Sequence, residues 1–217
     1  MKDLTKNFLS ESDREKIKAA VSDAEKLTSG EIVPMVVSSS YHYPVSDIAG
    51  AVTIALPLSV ILTILLGGWL WLGTNNMWLF IPVFAVTSFI FHQIVKHTLW
   101  LKRLFVSKRE MNEEVEEAAI TGFFNQGLYR TRDETGVLVF ISIFEHKVTV
   151  LADRGINEKV REGQWDNMVE IIVGGIKQGK QADAICEAVK EIGQLLQSSF
   201  PVREDDKNEL NDLIVNP

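Results

Sequence analysis

The sequence has one cysteine, Cys186, and no charged side chain from Ile48 to Leu72 or from Met77 to Val95. A single cysteine excludes an intrachain disulfide and fits a reducing compartment. Cys186 lies in Ile185-Cys186-Glu187-Ala188, a helical pattern with no phosphate-binding loop or arginine after it, so a thiol phosphatase is excluded too. The four histidines, His42, His92, His97 and His146, have no zinc-site spacing. There is no glycine-rich phosphate loop and no Gly-x-Ser-x-Gly elbow. Any hydrolase chemistry would have to use a metal held by carboxylates alone. Basic residues are outnumbered 22 to 29, a net charge of −7, which argues against a nucleic-acid partner because phosphate backbones demand a basic face. The polar start MKDLTKNFLSESDREK has no apolar core of a cleavable signal peptide.

What the chain does have is two long apolar runs, 48–72 and 77–97, around the polar Gly73-Thr74-Asn75-Asn76. About 20 helical residues cross a hydrocarbon core of about 30 Å, so residues 47–101 read as a transmembrane helical hairpin. Trp69, Trp71 and Trp78 near the connection, and Tyr41, Tyr43 and Trp100 at the other ends, fit two interfacial belts. Lys96, Lys102, Arg103, Lys108 and Arg109 follow the second run and the connection has no basic residue. This places both termini in the cytoplasm and the basic cluster against anionic headgroups. No ionisable group lies at mid-depth, so an anchor is favoured over an ion or substrate path. Pro57, Pro82 and the Gly67-Gly68 pair fit kinks and close helix approach.

Outside the hairpin the pattern is that of one small α/β domain. Ser12 and Glu15 are spaced for a capping box, and Ile17, Val21, Ala24 and Leu27 form one helical stripe. Glu31–Val37 reads as a strand whose Pro34 suggests an edge or a bulge. Residues 110–125 form a charged helix with Val115, Ala118, Ala119, Gly122 and Phe123 inward. Residues 135–144 are almost continuously apolar, as expected of a central strand covered on both faces. The connection Glu145-His146-Lys147 leads to an antiparallel partner strand, 148–152. Two amphipathic helices follow, one lined by Trp165, Met168, Val169, Ile172 and Ile176, the other by Ile185, Val189, Ile192 and Leu196. Residues 202–217 carry Glu204, Asp205, Asp206, Glu209 and Asp212 and read as a disordered acidic tail. A crossover between the first and second strands predicts that they are parallel, so the sheet is mixed. The expected organisation is one discontinuous cytoplasmic domain, 1–46 with 102–201, interrupted by the hairpin.

Several segments, in this order, resemble the TPM domain family. They are Leu27-Thr28-Ser29-Gly30-Glu31-Ile32-Val33, Phe123-Phe124, Gly127-Leu128-Tyr129-Arg130-Thr131-Arg132, Thr135-Gly136-Val137-Leu138-Val139-Phe140 and Ala152-Asp153-Arg154-Gly155-Ile156, followed by Trp165 and Ser199-Phe200-Pro201. The family is named for a thylakoid-lumen protein, a photosystem II repair protein and an auxiliary subunit of acetylcholine receptors. The resemblance implies a mixed-sheet, Rossmann-like α/β sandwich, divalent-cation binding in some members, and a proposed acid phosphatase activity. The chain departs from the photosynthetic members at Asn7-Phe8-Leu9-Ser10, where they carry an Asp-rich segment. The hairpin is similar to that of a bacterial membrane-bound branch, which implies an inner-membrane location.

Candidate site residues follow from the strand ends. Asp153-Arg154-Gly155 ends the partner strand, where α/β folds often place ligands. Asp153 could take a cation, the loop could meet an anion, or Asp153 could simply cap a turn in which Gly155 supplies a positive φ. Glu31, Asp133, Glu134 and Asp153 would form an oxygen site for Ca²⁺ or Mg²⁺ if they converge. Arg132 and Arg154 are the candidates for phosphate or another anion. Thr131–Glu134 otherwise reads as a solvated loop, and Glu145 and His146 as a turn only. The leading expectation is a membrane-anchored cytoplasmic binding or scaffold module, in contact with the bilayer and other membrane proteins. The alternative is a metal-dependent, acid phosphatase-like hydrolase.

Overall fold

The structure, a computed structural model, describes residues 3–72, 76–160, 163–202 and 209–216. The 73–75 part of the connection and the acidic residues Glu204, Asp205 and Asp206 lie outside the described residues. In chain order the elements are α1 (Thr5–Phe8), α2 (Glu11–Glu25), β1 (Glu31–Val37), α3 (Pro44–Trp69), α4 (Met77–His97), α5 (Leu99–Leu104) and α6 (Lys108–Asn125). They continue with β2 (Gly136–Ser142), β3 (Lys147–Ala152), α7 (Arg154–Asn157), α8 (Gln164–Lys177), α9 (Gln181–Gln197) and β4 (Ile214–Val215). The chain forms two compact units, His42–Met111 and Lys2–Tyr41 with Asn112–Pro217.

The first unit is built on α3 and α4, both long and apolar enough to cross a membrane. Pro57 and Pro82 lie inside these helices without ending them. Where α3 packs with its neighbours it buries Ala51, Ala55, Ser59, Thr63 and Gly67, one small residue every four positions. Small side chains let helix backbones approach closely, which is how helices associate where no water drives them together. Of the glycine pair, Gly67 lies in this buried stripe, while a Cβ on Gly68 would meet nothing within 4 Å. The buried hydroxyls bond within their own helix, Ser59 Oγ to Leu56 O at 2.8 Å and Thr63 Oγ1 to Ser59 O at 2.7 Å.

Two expectations change in this unit. Lys102 is not a headgroup-facing lysine: it is 4% exposed, donates to Asp47 Oδ2 at 3.0 Å and also donates to His42 O. Its partner sits in the first turn of α3, so the pair fastens α5 to the start of that helix. A charge this buried persists only when paired and hydrogen-bonded. Tyr43 is fully buried, with a left-handed φ of 46° just before Pro44, and is not part of an aromatic belt. The hairpin unit accordingly takes in His42–Ser46 and Lys102–Met111, beyond the expected 47–101.

The second unit is a four-stranded mixed sheet in the order β3-β2-β1-β4. β1 and β2 are parallel, Glu31 opposite Gly136 through Val37 opposite Ser142, and β2 and β3 are antiparallel. Alternation along the strands makes two cores. Ile32, Val36, Val137, Val139 and Ile141 face α2, α8 and α9, whose Ile17, Val21, Met168, Ile172, Ile185, Val189, Ile192 and Leu196 complete the larger core. Val33, Met35, Leu138 and Phe140 face α6, which supplies Val115, Ala119 and Phe123. Each large aliphatic side chain removed from water in this way is worth about 1.5–3 kcal/mol.

The start of α2 and the region after residue 202 also differ from expectation. The capping box is set by Ser10 and Asp13, two residues before Ser12 and Glu15: Asp13 N donates to Ser10 Oγ at 3.2 Å, and Ser10 N to Asp13 Oδ2 at 2.9 Å. Leu27 is exposed, so the buried stripe ends at Ala24. The expected disordered tail contains β4, which pairs in parallel with β1 at Met35 and Val36. Ile214 and Leu210 join the smaller core, and this burial is what orders the segment. Pro34 thus belongs to an inner strand, one residue before the pairing with β4 begins.

Candidate functional site

Parallel pairing of β1 with β2, and the antiparallel return of β3, put the starts of β1 and β2 and the end of β3 at one end of the sheet. Glu31, Asp133, Glu134 and Asp153 therefore share that end, as the sequence reading required. Their side chains do not gather: among the described residues no three His, Cys, Asp or Glu side chains form a group that could hold a metal ion. What converges is backbone. Asp153 N donates to Gly136 O at 2.8 Å, and a Cβ on Gly155 would lie 2.7 Å from the carbonyl oxygens of both Asp133 and Glu134. Gly155 is needed for this close approach and does not have a positive φ; the left-handed residue of the loop is Glu134, at φ 55°.

Each candidate has an individual assignment. Asp153 caps the four-residue α7, its Oδ1 accepting from Arg154 N at 2.7 Å, while its Oδ2 is buried with no hydrogen-bond partner among the described residues. Glu31 is buried, and its Oε1 accepts from Glu209 N at 3.2 Å. Glu209 Oε2 in turn accepts from Arg132 N at 3.3 Å. The segment before β4 therefore closes over the carboxylate end, a contact that treating residues 202–217 as a tail had hidden. Arg154 is exposed and donates to Glu158 Oε1 at 3.0 Å; that hydrogen bond, then the charges of Glu158 and Glu134, raise its pKa. Its guanidinium is turned along its own helix toward Glu158. Burial pushes the Cys186 thiol up, and its Sγ lies 3.7 Å from Lys16 O, a packing role.

The opposite end of the sheet holds a buried acid that the sequence reading treated as a turn residue. Glu145 is 1% exposed; its Oε1 accepts from Ser39 Oγ and from Ser40 N, each at 3.1 Å, and its Oε2 accepts from Ser142 Oγ. The carboxylate pins the exit of β1 to the β2–β3 turn, where His146 adopts φ 53°. Beside this pinned segment, between β1, β2 and α6, is an open cleft of about 580 Å³. Met35, Val37 and Phe140 form its apolar floor, and Glu114, Glu117, Thr121, Asn125 and Gln126 of α6 stand along one wall. Ser39, Ser40 and Tyr41 contribute the other. No sequence motif marks it, because it arises from the way α6 lies over a face of the sheet.

Against known families, residues 102–195 match the TPM domain. That stretch, less than half of the chain, is what resembles the family. The matched stretch includes β2, β3 and their helices, and the rest of the sheet comes from β1 and β4 outside it. The chain is also similar to a solved structure, the NMR structure of BA42 protein from the psychrophilic bacterium Bizionia argentinensis sp. nov.. That likeness has a TM-score of 0.59 at 20% identity, over 97% of this chain and 96% of that one, and it shows the fold. No curated protein matches the chain.

Proposed function

We propose that this protein is a membrane-anchored binding module of the TPM domain family, held at the bacterial inner membrane by α3 and α4, with its α/β domain and both termini in the cytoplasm. One observation carries the anchor: around their buried stripe of small residues, α3 and α4 expose Ile61, Leu65, Trp69, Trp78, Val86 and Phe89, each more than half accessible. A surface of this kind is costly in water and costs nothing in hydrocarbon. The basic residues after α4 support the cytoplasmic orientation. The module works through contacts with other membrane proteins.

The anchor is tested by alkaline carbonate extraction of native membranes, where the protein should remain in the pellet. Release into the supernatant would remove the anchor. A reporter active only outside the cytoplasm should be active when inserted at Thr74 and silent when fused after Pro217. The opposite pattern would invert the orientation.

The buried, unbonded Asp153 Oδ2 favours a second reading, a divalent cation at the carboxylate end serving a phosphatase-like hydrolysis. Calcium wants six to eight oxygens, which these side chains do not assemble, whereas Mg²⁺ keeps most of its waters and uses one or two carboxylates. With p-nitrophenyl phosphate and Mg²⁺ the purified protein should show only background turnover. Turnover that disappears in Asp153→Ala would replace the binding module with the hydrolase.

A further inference from the structure

The outward face of α6 differs from that of α9, whose exposed positions are all charged or polar. The inner stripe of α6, Val115, Ala119 and Phe123, completes the smaller core. Glu116, Glu117, Ile120 and Phe124 recur three and four residues apart and are all exposed, so they share one outward face. Beyond the end of the helix, the turn Leu128–Arg130 lays Tyr129 against Phe124, with ring centroids 5.3 Å apart. Arg130 sits over the Tyr129 ring at 5.2 Å, and its Nε donates to the Tyr129 hydroxyl at 2.8 Å. The result is one continuous strip: two carboxylates, then Ile120, Phe124 and Tyr129, then a guanidinium. The three apolar side chains are 43%, 56% and 41% exposed, and aromatic surface left open beside an arginine has the composition of a protein–protein contact. Among the described residues Glu116 and Glu117 have no cationic partner, and Arg130 has no carboxylate.

We propose that this strip is the interface of a two-fold symmetric pair of chains, α6 lying antiparallel on α6 of a second copy. A symmetric contact uses one patch on both copies, so the patch must complement itself. This strip does: turned end for end, its apolar middle meets the same apolar middle, and Glu116 and Glu117 of each copy face Arg130 of the other. A parallel arrangement would set glutamate against glutamate. Anionic headgroups would be repelled by the two glutamates at one end, and a partner carrying charge of one sign would leave the other end unmatched. One helix face and a turn make a small contact, that of a weak, exchanging pair. The inference goes beyond the anchored-module reading and does not depend on it, because every residue of the strip lies in the α/β unit.

The test is analytical sedimentation of the full chain in density-matched detergent micelles over a range of protein concentrations. The protein should pass from monomer to dimer as its concentration rises. Phe124→Ser should weaken the dimer about tenfold. Glu117→Arg and Arg130→Glu each set like charges together twice in the pair, so each alone should weaken it about threefold or more. The two changes combined exchange the charges and should restore the dimer. The proposal is overturned if the chain stays monomeric, or if Phe124→Ser dimerises like the parent, which would move the contact to the hairpin or another surface. It is overturned as well if the combined charge exchange dimerises no better than the single changes.

Discussion

Compare α3 with α9. In α3 the buried positions are Ala51, Ala55, Ser59, Thr63 and Gly67, while Leu56, Ile61, Leu65 and Trp69 face outward. In α9 the buried positions include Ile185, Val189, Ile192 and Leu196, while Asp183, Glu187, Lys190 and Gln194 face outward. One helix hides small residues and shows large apolar ones; the other hides its large apolar residues and shows charged and polar ones. α9 is held by the removal of apolar surface from water, so its large side chains must be inside. α3 is held by close backbone approach, and its large side chains call for apolar surroundings of their own.

The largest effect should come from the buried Lys102–Asp47 pair of the hairpin unit. Lys102→Met leaves Asp47 buried without its cation and should cost about 3–5 kcal/mol in thermal unfolding of the detergent-solubilised protein. Adding Asp47→Asn should restore most of the loss; an unchanged melting temperature in the single variant would mean that the pair is solvated. Next, Ile192→Ala should cost about 2–5 kcal/mol by opening a cavity, whereas Leu65→Ala on the outward face of α3 should cost under about 0.5 kcal/mol. Equal losses at the two sites would erase the contrast between the helices. Third, Ala55→Leu should overfill the seam of α3 and cost about 1–3 kcal/mol, a large-for-small change that most outward positions of the same helix would accept.

The smallest effect concerns the latch that fastens β4. Asn216 Nδ2 donates to Asp3 Oδ1 at 2.5 Å and to Thr5 Oγ1 at 3.2 Å, and Asn216 N donates to Val36 O at 2.9 Å. The Asp3 carboxyl is held below its ordinary value of 3.8, chiefly by the Thr5 hydroxyl. Because the folded pKa is the lower one, the latch contributes fully above about pH 4 and is lost as pH falls through the depressed value. Hydrogen-exchange protection of the Asn216 amide should therefore drop at the acid end, and Asp3→Asn should remove that dependence. Protection that does not vary with acid would detach Asp3 from the latch.

The sequence was most legible where a pattern ran long. Two charge-free runs named α3 and α4 to within a few residues, and the unbroken apolar stretch after Thr135 marked β2 as central. The helix stripe at Val115, Ala119 and Phe123 was readable from its spacing. Short-range signals failed where two solutions tied: Ser10 and Ser12 each precede an acid by three residues, and only the structure chooses. β4 was illegible because its two residues owe their conformation to Met35 and Val36, far away in sequence. Glu145 looked like a turn residue because the hydroxyls that bury it come from Ser39, beyond the end of β1, and Ser142, the last residue of β2. The cleft over β1 and β2 follows from how α6 covers the sheet, which no local pattern encodes.

The register of β1 carries a consequence in time. Its partners are Gly136–Ser142 and Ile214–Val215, so a nascent chain exposes Ile32, Val33, Met35, Val36 and Val37 long before either partner has been synthesised. All of α3 and α4 emerges during that wait. A short apolar strand without a partner is prone to pair with whatever edge it meets, and a proline within it is a known interruption of such pairing. Pro34, in the middle of β1, can thus be understood as protection for the interval before the sheet exists.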